Sequence, residues 1–336
     1  MATIPQIYEE RATYSRGQLA ELRKRFEHLS ELQAFPTLTI FGAGSYARLE
    51  ASRYSDIDVF FLNLGDKGSV LEPRTNSLRI FGKVIEVADA MSFPKFSNDS
   101  QYLVILHTDD ITCHLGSPTD DHENYFTARM LLLLESYCLY GDDQYKLILE
   151  TIIESYFNDF PDHKHTFQPI FLLNDICRFW KTLLLNYEHK RNFGRSVEDE
   201  KIKTRQKVRN YKLKYSRMTT CFASIAALGS HNAPVSKDQV LELTKLTPRE
   251  RLQSVPLRVS EAAEVVDEIL ERYAKFLELT GLETEALEER FSDKEKRTEM
   301  FSEANAYGDA MFKLLQVIDQ AGKSDSRRSL LRTLVI

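Results

Sequence analysis

The sequence lacks the long apolar runs and the cysteine patterns that mark membrane, secreted or zinc-binding proteins. No stretch approaches the roughly eighteen apolar residues of a transmembrane helix, and the N-terminus has no apolar signal-peptide core. Four cysteines, at positions 113, 138, 177 and 221, show no CxxC or CxxH spacing, which argues against a zinc site and a disulfide framework. The eight histidines form no HExxH motif. We therefore expect a cytoplasmic protein with no membrane partner.

Negative charge slightly exceeds positive charge overall, and an excess of positive charge is concentrated in one segment. The net charge is −6, yet residues 188–217 carry 11 Lys/Arg against 4 Asp/Glu, a local charge of +7. An acidic protein disfavours general polyanion binding, so no DNA partner is expected. The basic segment instead favours a local anionic ligand.

The 336 residues are enough for two domains. Periodicity predicts a helix over 5–33, strands over 37–41 and 55–62, a helix over 77–91 and extended segments over 93–107. We interpret 1–116 as a domain built on a small mixed sheet, preceded by the N-terminal helix. Every later segment has long helical periodicity and none reads as a strand, so 117–336 is predicted to be an all-helical domain. The predicted fold class is α+β.

Two acids interrupt the second predicted strand. Asp56 and Asp58, at i and i+2, would share one face of the strand, and their repulsion would be relieved by a divalent cation. Mg²⁺ prefers carboxylates together with substrate phosphates. The upstream turn, Gly44-Ser45, can bring backbone N–H groups and a hydroxyl close to a phosphate. The alternative is a solvated sheet face next to an ordinary turn.

The stretch GSYARLEASRYSDIDVFFL (44–62) resembles the signature of the polymerase-β-like nucleotidyltransferase superfamily. The order of segments, with 123-ENYFTARMLLLLES-136 and Tyr140-Gly141-Asp142, is similar to the PII-uridylyltransferase branch and its putative nucleotidyltransferase relatives, with Arg129 at a matching position. The phosphohydrolase and ligand-sensing domains of those uridylyltransferases are missing. The resemblance implies that 1–116 is a nucleotidyltransferase palm.

The resemblance implies a role for each matching residue. Gly44 and Ser45 would contact the triphosphate of an NTP, the donor substrate, while Asp56 and Asp58 would bind Mg²⁺ or Mn²⁺. A third catalytic carboxylate would follow the intervening helix, and Asp99 is the candidate.

Other assignments leave an alternative open. Glu86 and Asp89 are weaker candidates for the third acid, because they lie within the predicted helix. Arg48 is predicted to contact a phosphate or to be a surface charge, whereas Arg53 is expected to be exposed.

The helical domain is expected to close over the nucleotide. Arg178 and Lys181 fall near one helix face, and Lys212, Lys214 and Ser216 cluster further on; all five are predicted NTP contacts. The alternative is an Asp175–Arg178 helical ion pair beside a solvated basic face.

The expected function is Mg-dependent transfer of an NMP from an NTP onto a hydroxyl of a protein or RNA, with release of pyrophosphate. One alternative is an oligonucleotide-signal synthase or nucleotidylating toxin of a bacterial defence system. A second is an inactive nucleotidyltransferase fold that binds RNA or protein through residues 188–217. The base and the acceptor are not specified by the sequence.

Overall fold

The computed structural model of the protein describes residues 5–65, 74–94, 103–193, 200–322 and 329–335. The chain forms two compact units, each assembled from separate segments. The sheet unit comprises Glu9–His163 and Ser236–Thr247. The helical unit comprises Met1–Tyr8, Lys164–Val235 and Pro248–Ile336. The boundary that we predicted after residue 116 falls inside the sheet unit.

Four strands of the sheet unit form one mixed sheet in the order β3–β2–β1–β4. They are β1 Leu38–Ala43, β2 Asp58–Asn63, β3 Ile105–His107 and β4 Ser136–Tyr140. The central strand β1 pairs antiparallel with β2 and β4, and β2 pairs parallel with β3. All six residues of β1 are buried, as expected for an apolar strand covered on both faces. The α+β class and the small mixed sheet are confirmed.

Helices make up most of the remaining described chain. They are α1 Gln6–Glu27, α2 Ser30–Gln33, α3 Gly44–Ala47, α4 Arg74–Ala90, α5 Thr108–Cys113, α6 Pro118–His122, α7 Tyr125–Leu134, α8 Asp142–Ser155, α9 Ile170–Phe193, α10 Glu200–Lys212, α11 Met218–Gly229, α12 Lys237–Lys245, α13 Pro248–Ser254, α14 Ala263–Leu279, α15 Thr284–Ser292, α16 Lys294–Gly322 and α17 Leu330–Val335. Within the described residues, no helix has the length and hydropathy needed to cross a membrane.

Two strand predictions need correction. The segment 117–336 was expected to contain no strand, but Ser136–Tyr140 forms β4 directly after α7, because it completes the hydrogen bonding of β1. The strand predicted over 55–62 begins only at Asp58. The preceding residues are held in a turn, in which the Ser55 backbone N–H donates to the Ser52 carbonyl and the Ser52 N–H donates to the Ser55 hydroxyl.

The core of the sheet unit lies on one face of the sheet, under α1 and α4. Alternate strand residues such as Ile40 and Phe61 meet helix residues such as Phe26 and Val84 there. The core residues of α1 and α4 recur at helical spacing, which explains why these two segments fold as amphipathic helices. On the opposite face Phe41 and Phe60 stack with ring centroids 5.2 Å apart. Side chains of β2 therefore alternate between two buried layers.

The helical unit is organised around a cluster of aromatic rings. The α10–α11 connection is a π-helical turn, Leu213–Arg217, which carries Tyr215. The Tyr215 ring stacks on Phe276 at a centroid distance of 4.7 Å and on Tyr307 at 4.6 Å. Single π-turns inside α-helices are often found at functional positions. Here the turn directs a buried tyrosine into the core.

Candidate functional site

The Gly-Ser turn lies at the end of β1, where the chain enters the short helix α3. Gly44 has φ +74°, in the left-handed region that favours glycine. A Cβ added there would lie 3.1 Å from Oδ2 of Asp58, so the carboxylate occupies space that any other residue would fill. Ser45 follows and is partly exposed. The sequence motif therefore brings the turn and the second acid into direct proximity.

Both acids lie at this same end of the sheet. Asp58 is the first residue of β2 and pairs with Ala43, the last residue of β1. Asp56 precedes the strand and is exposed, while Asp58 is partly exposed. Ile57 and Val59 between and after them are core residues, so the alternation of buried and accessible side chains extends back to Asp56. Exposure of this kind lets both carboxylates reach a ligand in solvent.

Tyr46 directly follows the Gly-Ser turn, and the charge of Asp56 affects the pKa of its hydroxyl. Its side chain is buried, and burial is the main cause that raises the pKa of the Tyr46 hydroxyl. A hydrogen bond with Tyr14 and the negative charge of Asp56 raise this pKa further. The negative charge of Asp56 therefore acts on the residue that follows Ser45.

Arg48 lies in a buried ion cluster rather than on the surface. Its Nε donates to Glu50 at 2.8 Å and its Nη1 to Glu135 at 2.5 Å, and all three residues are less than 10% exposed. Arg11 lies close by: burial lowers its pKa, while the charges of Glu10 and Glu50 act in the opposite direction. This geometry joins α3 to the start of β4. It supports a structural role for Arg48 and not the predicted phosphate contact.

The third carboxylate has no structural candidate on β3. This strand follows α4 and carries Ile105, Leu106 and His107. Asp99 lies outside the described residues, so its prediction stands as made. The alternatives on α4 face solvent: Glu86 pairs with Lys83 at 2.8 Å, and Asp89 is exposed.

The remaining predicted contacts all belong to the helical unit. Arg178 pairs with Asp175 at 3.4 Å, as the alternative interpretation expects, and Lys181 and Lys212 are exposed. Lys214 donates to the Asn305 side chain at 2.8 Å.

The Ser216 hydroxyl donates to the Lys212 carbonyl at 2.9 Å, which satisfies it within the helix. One hydrogen bond links α9 to α10, from the Tyr187 hydroxyl to the Gln206 carbonyl at 3.4 Å. Of these five predicted contacts, Lys181 and Lys212 are the exposed residues.

Two features of the sheet unit were not anticipated from the sequence. An open groove of about 450 Å³ between α1 and α4 is lined by residues that include the charged side chains of Lys24, Arg25 and Glu86. A second cluster, Asp110, Cys113 and His114, brings three potential metal ligands together on α5 and its end. The spacing D-x-x-C-H, on one helical face, was the signal that would have identified it.

Comparison of the chain with models of protein families, with curated proteins and with solved structures finds no match. The chemistry of the site follows from its residues alone. Two accessible carboxylates beside a glycine turn supply oxygen ligands of the kind that Mg²⁺ prefers. The partly exposed Ser45 places a hydroxyl group beside them, of the kind that can donate to an anion.

Proposed function

We propose that the protein is a Mg-dependent nucleotidyltransferase that moves an NMP from an NTP onto a hydroxyl of a protein or RNA acceptor. The observation that carries this proposal is the contact between Gly44 and Asp58. A Cβ at Gly44 would lie 3.1 Å from the Asp58 carboxylate, at the end of the paired strands β1 and β2. A metal-bound triphosphate needs this combination of close backbone approach and adjacent carboxylate oxygen.

The donor set at the turn fits Mg²⁺. Asp56 and Asp58 offer hard oxygen ligands and retain solvent access, so water and phosphate oxygens would supply the remaining ligands. When bound, Mg²⁺ would offset the charge of the triphosphate and lower the pKa of the attacking hydroxyl. Asp56 and Asp58 would hold it, while Gly44 and Ser45 position the phosphates.

The reaction requires positioning more than covalent chemistry from the protein. The acceptor hydroxyl oxygen forms a bond to the α-phosphorus and its proton passes to solvent water, while the bond from that phosphorus to the bridging oxygen breaks and pyrophosphate leaves with the electron pair. Gly44 permits close approach of the phosphates, and the Ser45 hydroxyl can donate to them. Arg48 acts indirectly, because its ion pairs with Glu50 and Glu135 fix the backbone that follows the turn. Orientation of this kind supplies much of the rate enhancement in such reactions.

The test is incubation of the protein with each labelled NTP, Mg²⁺ or Mn²⁺ and a cell extract, with separation of labelled protein, RNA and small products. We expect pyrophosphate release and one labelled macromolecular class. Asp56→Asn and Asp58→Asn should each lower the rate at least about a hundredfold, since a metal contributes several kcal/mol of charge stabilisation. Asp162→Asn, which changes an exposed carboxylate of the sheet unit outside the predicted site, is the matched control and should leave the rate unchanged. No pyrophosphate from any NTP would refute the proposal.

Whether a third acid completes the site distinguishes an active enzyme from an inactive binding module. Asp99→Asn should reduce turnover to the same degree as Asp58→Asn if Asp99 completes the site. Within the described part of the segment that follows α4, β3 carries no carboxylate, and this favours an inactive binding protein. In that case wild type and Asp56→Asn/Asp58→Asn would bind the same partner, and neither would release pyrophosphate. Labelled oligonucleotides formed without any macromolecular acceptor would instead identify a signal synthase.

A further inference from the structure

A second group of potential metal ligands lies on helix α5, apart from the two acids at the Gly-Ser turn. Asp110, Cys113 and His114 offer one oxygen, one sulfur and one nitrogen, and these atoms lie within 4.8 Å of one another. Their spacing of three and four residues puts them on one helical face. Among the described residues, no other set of three such side chains converges in this way. Asp110 and His114 are partly buried, and Cys113 is exposed.

The backbone that carries these three residues is fixed by contacts on several sides. At its start, the Thr108 hydroxyl donates to the Asn63 carbonyl at 2.9 Å. Near its end, Nη1 of the buried Arg129 donates to the Ile111 carbonyl at 3.0 Å. The His114 ring stacks on Tyr125, with centroids 5.8 Å apart and planes 14° from parallel. Such support holds ligands in place before a metal arrives.

We propose that Asp110, Cys113 and His114 bind Zn²⁺, with water as the fourth ligand. Thiolate and imidazole favour Zn²⁺ over Mg²⁺ or Ca²⁺, which bind through oxygen. Bonds of about 2.0–2.3 Å in a tetrahedron place ligand atoms about 3.3–3.8 Å apart. The three ligand atoms lie within 4.8 Å of one another, so side-chain rotations that bring them closer by at most about 1–1.5 Å give these separations.

This Zn²⁺ site is chemically distinct from the proposed Mg²⁺ site. Asp56 and Asp58 supply only oxygen, whereas the α5 site includes a sulfur ligand, so each metal has its own preferred position. Zinc at α5 would join the helix to the turn that follows it and leave one position open to a small ligand. The two sites can be tested separately, and the zinc proposal does not depend on nucleotidyl transfer.

The probe is CoCl₂ added to the metal-free, reduced protein, because Co²⁺ replaces Zn²⁺ and its bond to a thiolate absorbs in the near ultraviolet. We expect one equivalent to produce this band and Zn²⁺ to displace it. Cys113→Ser should abolish the band and weaken Co²⁺ affinity at least about tenfold, and His114→Gln should weaken it similarly. Cys177→Ser changes a buried thiol elsewhere and is the matched control. Far-ultraviolet circular dichroism establishes that each variant is folded.

A second readout follows the thiols directly. Cys113 is the exposed cysteine of the four, so it should react first with an aromatic disulfide reagent. Zn²⁺ should slow this fast phase at least about tenfold, as expected for a metal-bound thiolate. The proposal is overturned if wild type gives no thiolate band with Co²⁺. It is equally overturned if the band persists in folded Cys113→Ser, or if Zn²⁺ leaves the fast thiol unprotected.

Discussion

Three glycines of the sheet unit form a matched series for testing the Gly44–Asp58 contact. Gly44, Gly116 and Gly141 have nearly equal φ values of +74°, +76° and +76°. A Cβ at Gly116 would have no atom within 4 Å, one at Gly44 would lie 3.1 Å from Asp58 Oδ2, and one at Gly141 would lie 2.5 Å from the Leu38 carbonyl oxygen. Substitution by alanine therefore has the same backbone cost in free energy at each position. The steric cost increases from Gly116 through Gly44 to Gly141.

The magnitudes follow from these distances. Left-handed backbone costs alanine about 1–2 kcal/mol, partly offset by about 0.4–1 kcal/mol from the stiffer unfolded chain. We expect Gly116→Ala to lower the free energy of unfolding by about 1 kcal/mol. Gly44→Ala should cost about 1–2 kcal/mol, because the carboxylate can move by a few tenths of an ångström. Gly141→Ala should cost about 3 kcal/mol or more, because overpacking against backbone cannot relax so easily.

The assay is urea unfolding for stability, combined with nucleotidyl transfer for activity. Gly44→Ala should also lower the transfer rate about a hundredfold, since a displaced Asp58 misplaces the ligand it holds. Gly116→Ala should leave the rate unchanged. Adding Asp58→Ala to Gly44→Ala should remove the steric part of the stability loss, which a double-mutant cycle measures. Equal stability losses for all three alanine variants would refute the reasoning.

Two further predictions concern buried charge and protonation. Arg129 and Asp120 are both fully buried and joined by two hydrogen bonds of 2.7 and 2.9 Å, so Arg129→Met should cost about 3–5 kcal/mol in urea unfolding. Arg25→Met, in an exposed pair with Glu21, should cost less than about 1 kcal/mol; similar losses for both would contradict the argument. Burial and then the charge of Arg258 lower the pKa of His231 from 6.5 to about 4. The unfolded chain therefore binds this proton more readily, and stability should fall by about 2 kcal/mol between about pH 7.5 and about pH 5. His231→Gln should remove that part of the pH dependence, and an unchanged slope would show that His231 is not its source.

Local patterns predicted the elements that depend on local sequence. The apolar runs of β1 and β2 and the helical period of α4 were recognised because their buried faces repeat at fixed intervals. The Gly-Ser turn and the two acids were also recognised from local sequence. Their motif is contained in 15 consecutive residues, from Gly44 to Asp58. The structure then adds the contact between the first and the last of these residues.

Features that depend on distant partners were not predictable in this way. Strand β4 follows the leucine-rich helix α7 directly, and only its pairing with β1, at Phe41↔Cys138, makes it a strand. The ion pair between Arg48 and Glu135 joins residues 87 positions apart, so Arg48 resembled a phosphate contact. Tertiary context overrides local propensity in such cases. A sequence pattern cannot show which of its charges will find a buried partner.

The sheet unit is assembled from two segments that are far apart in the chain, and this affects its folding during synthesis on the ribosome. Helix α12 contacts α8, with Lys237 paired to Glu154, but it belongs to a segment that ends 84 residues after His163. At about 5–20 residues per second, translation takes roughly 4–17 s to span that interval. During this time Glu9–His163 has emerged while the α8 surface that α12 covers is still bare. The nascent chain is then open to chaperones, and this unit is completed only after most of the polypeptide has been made.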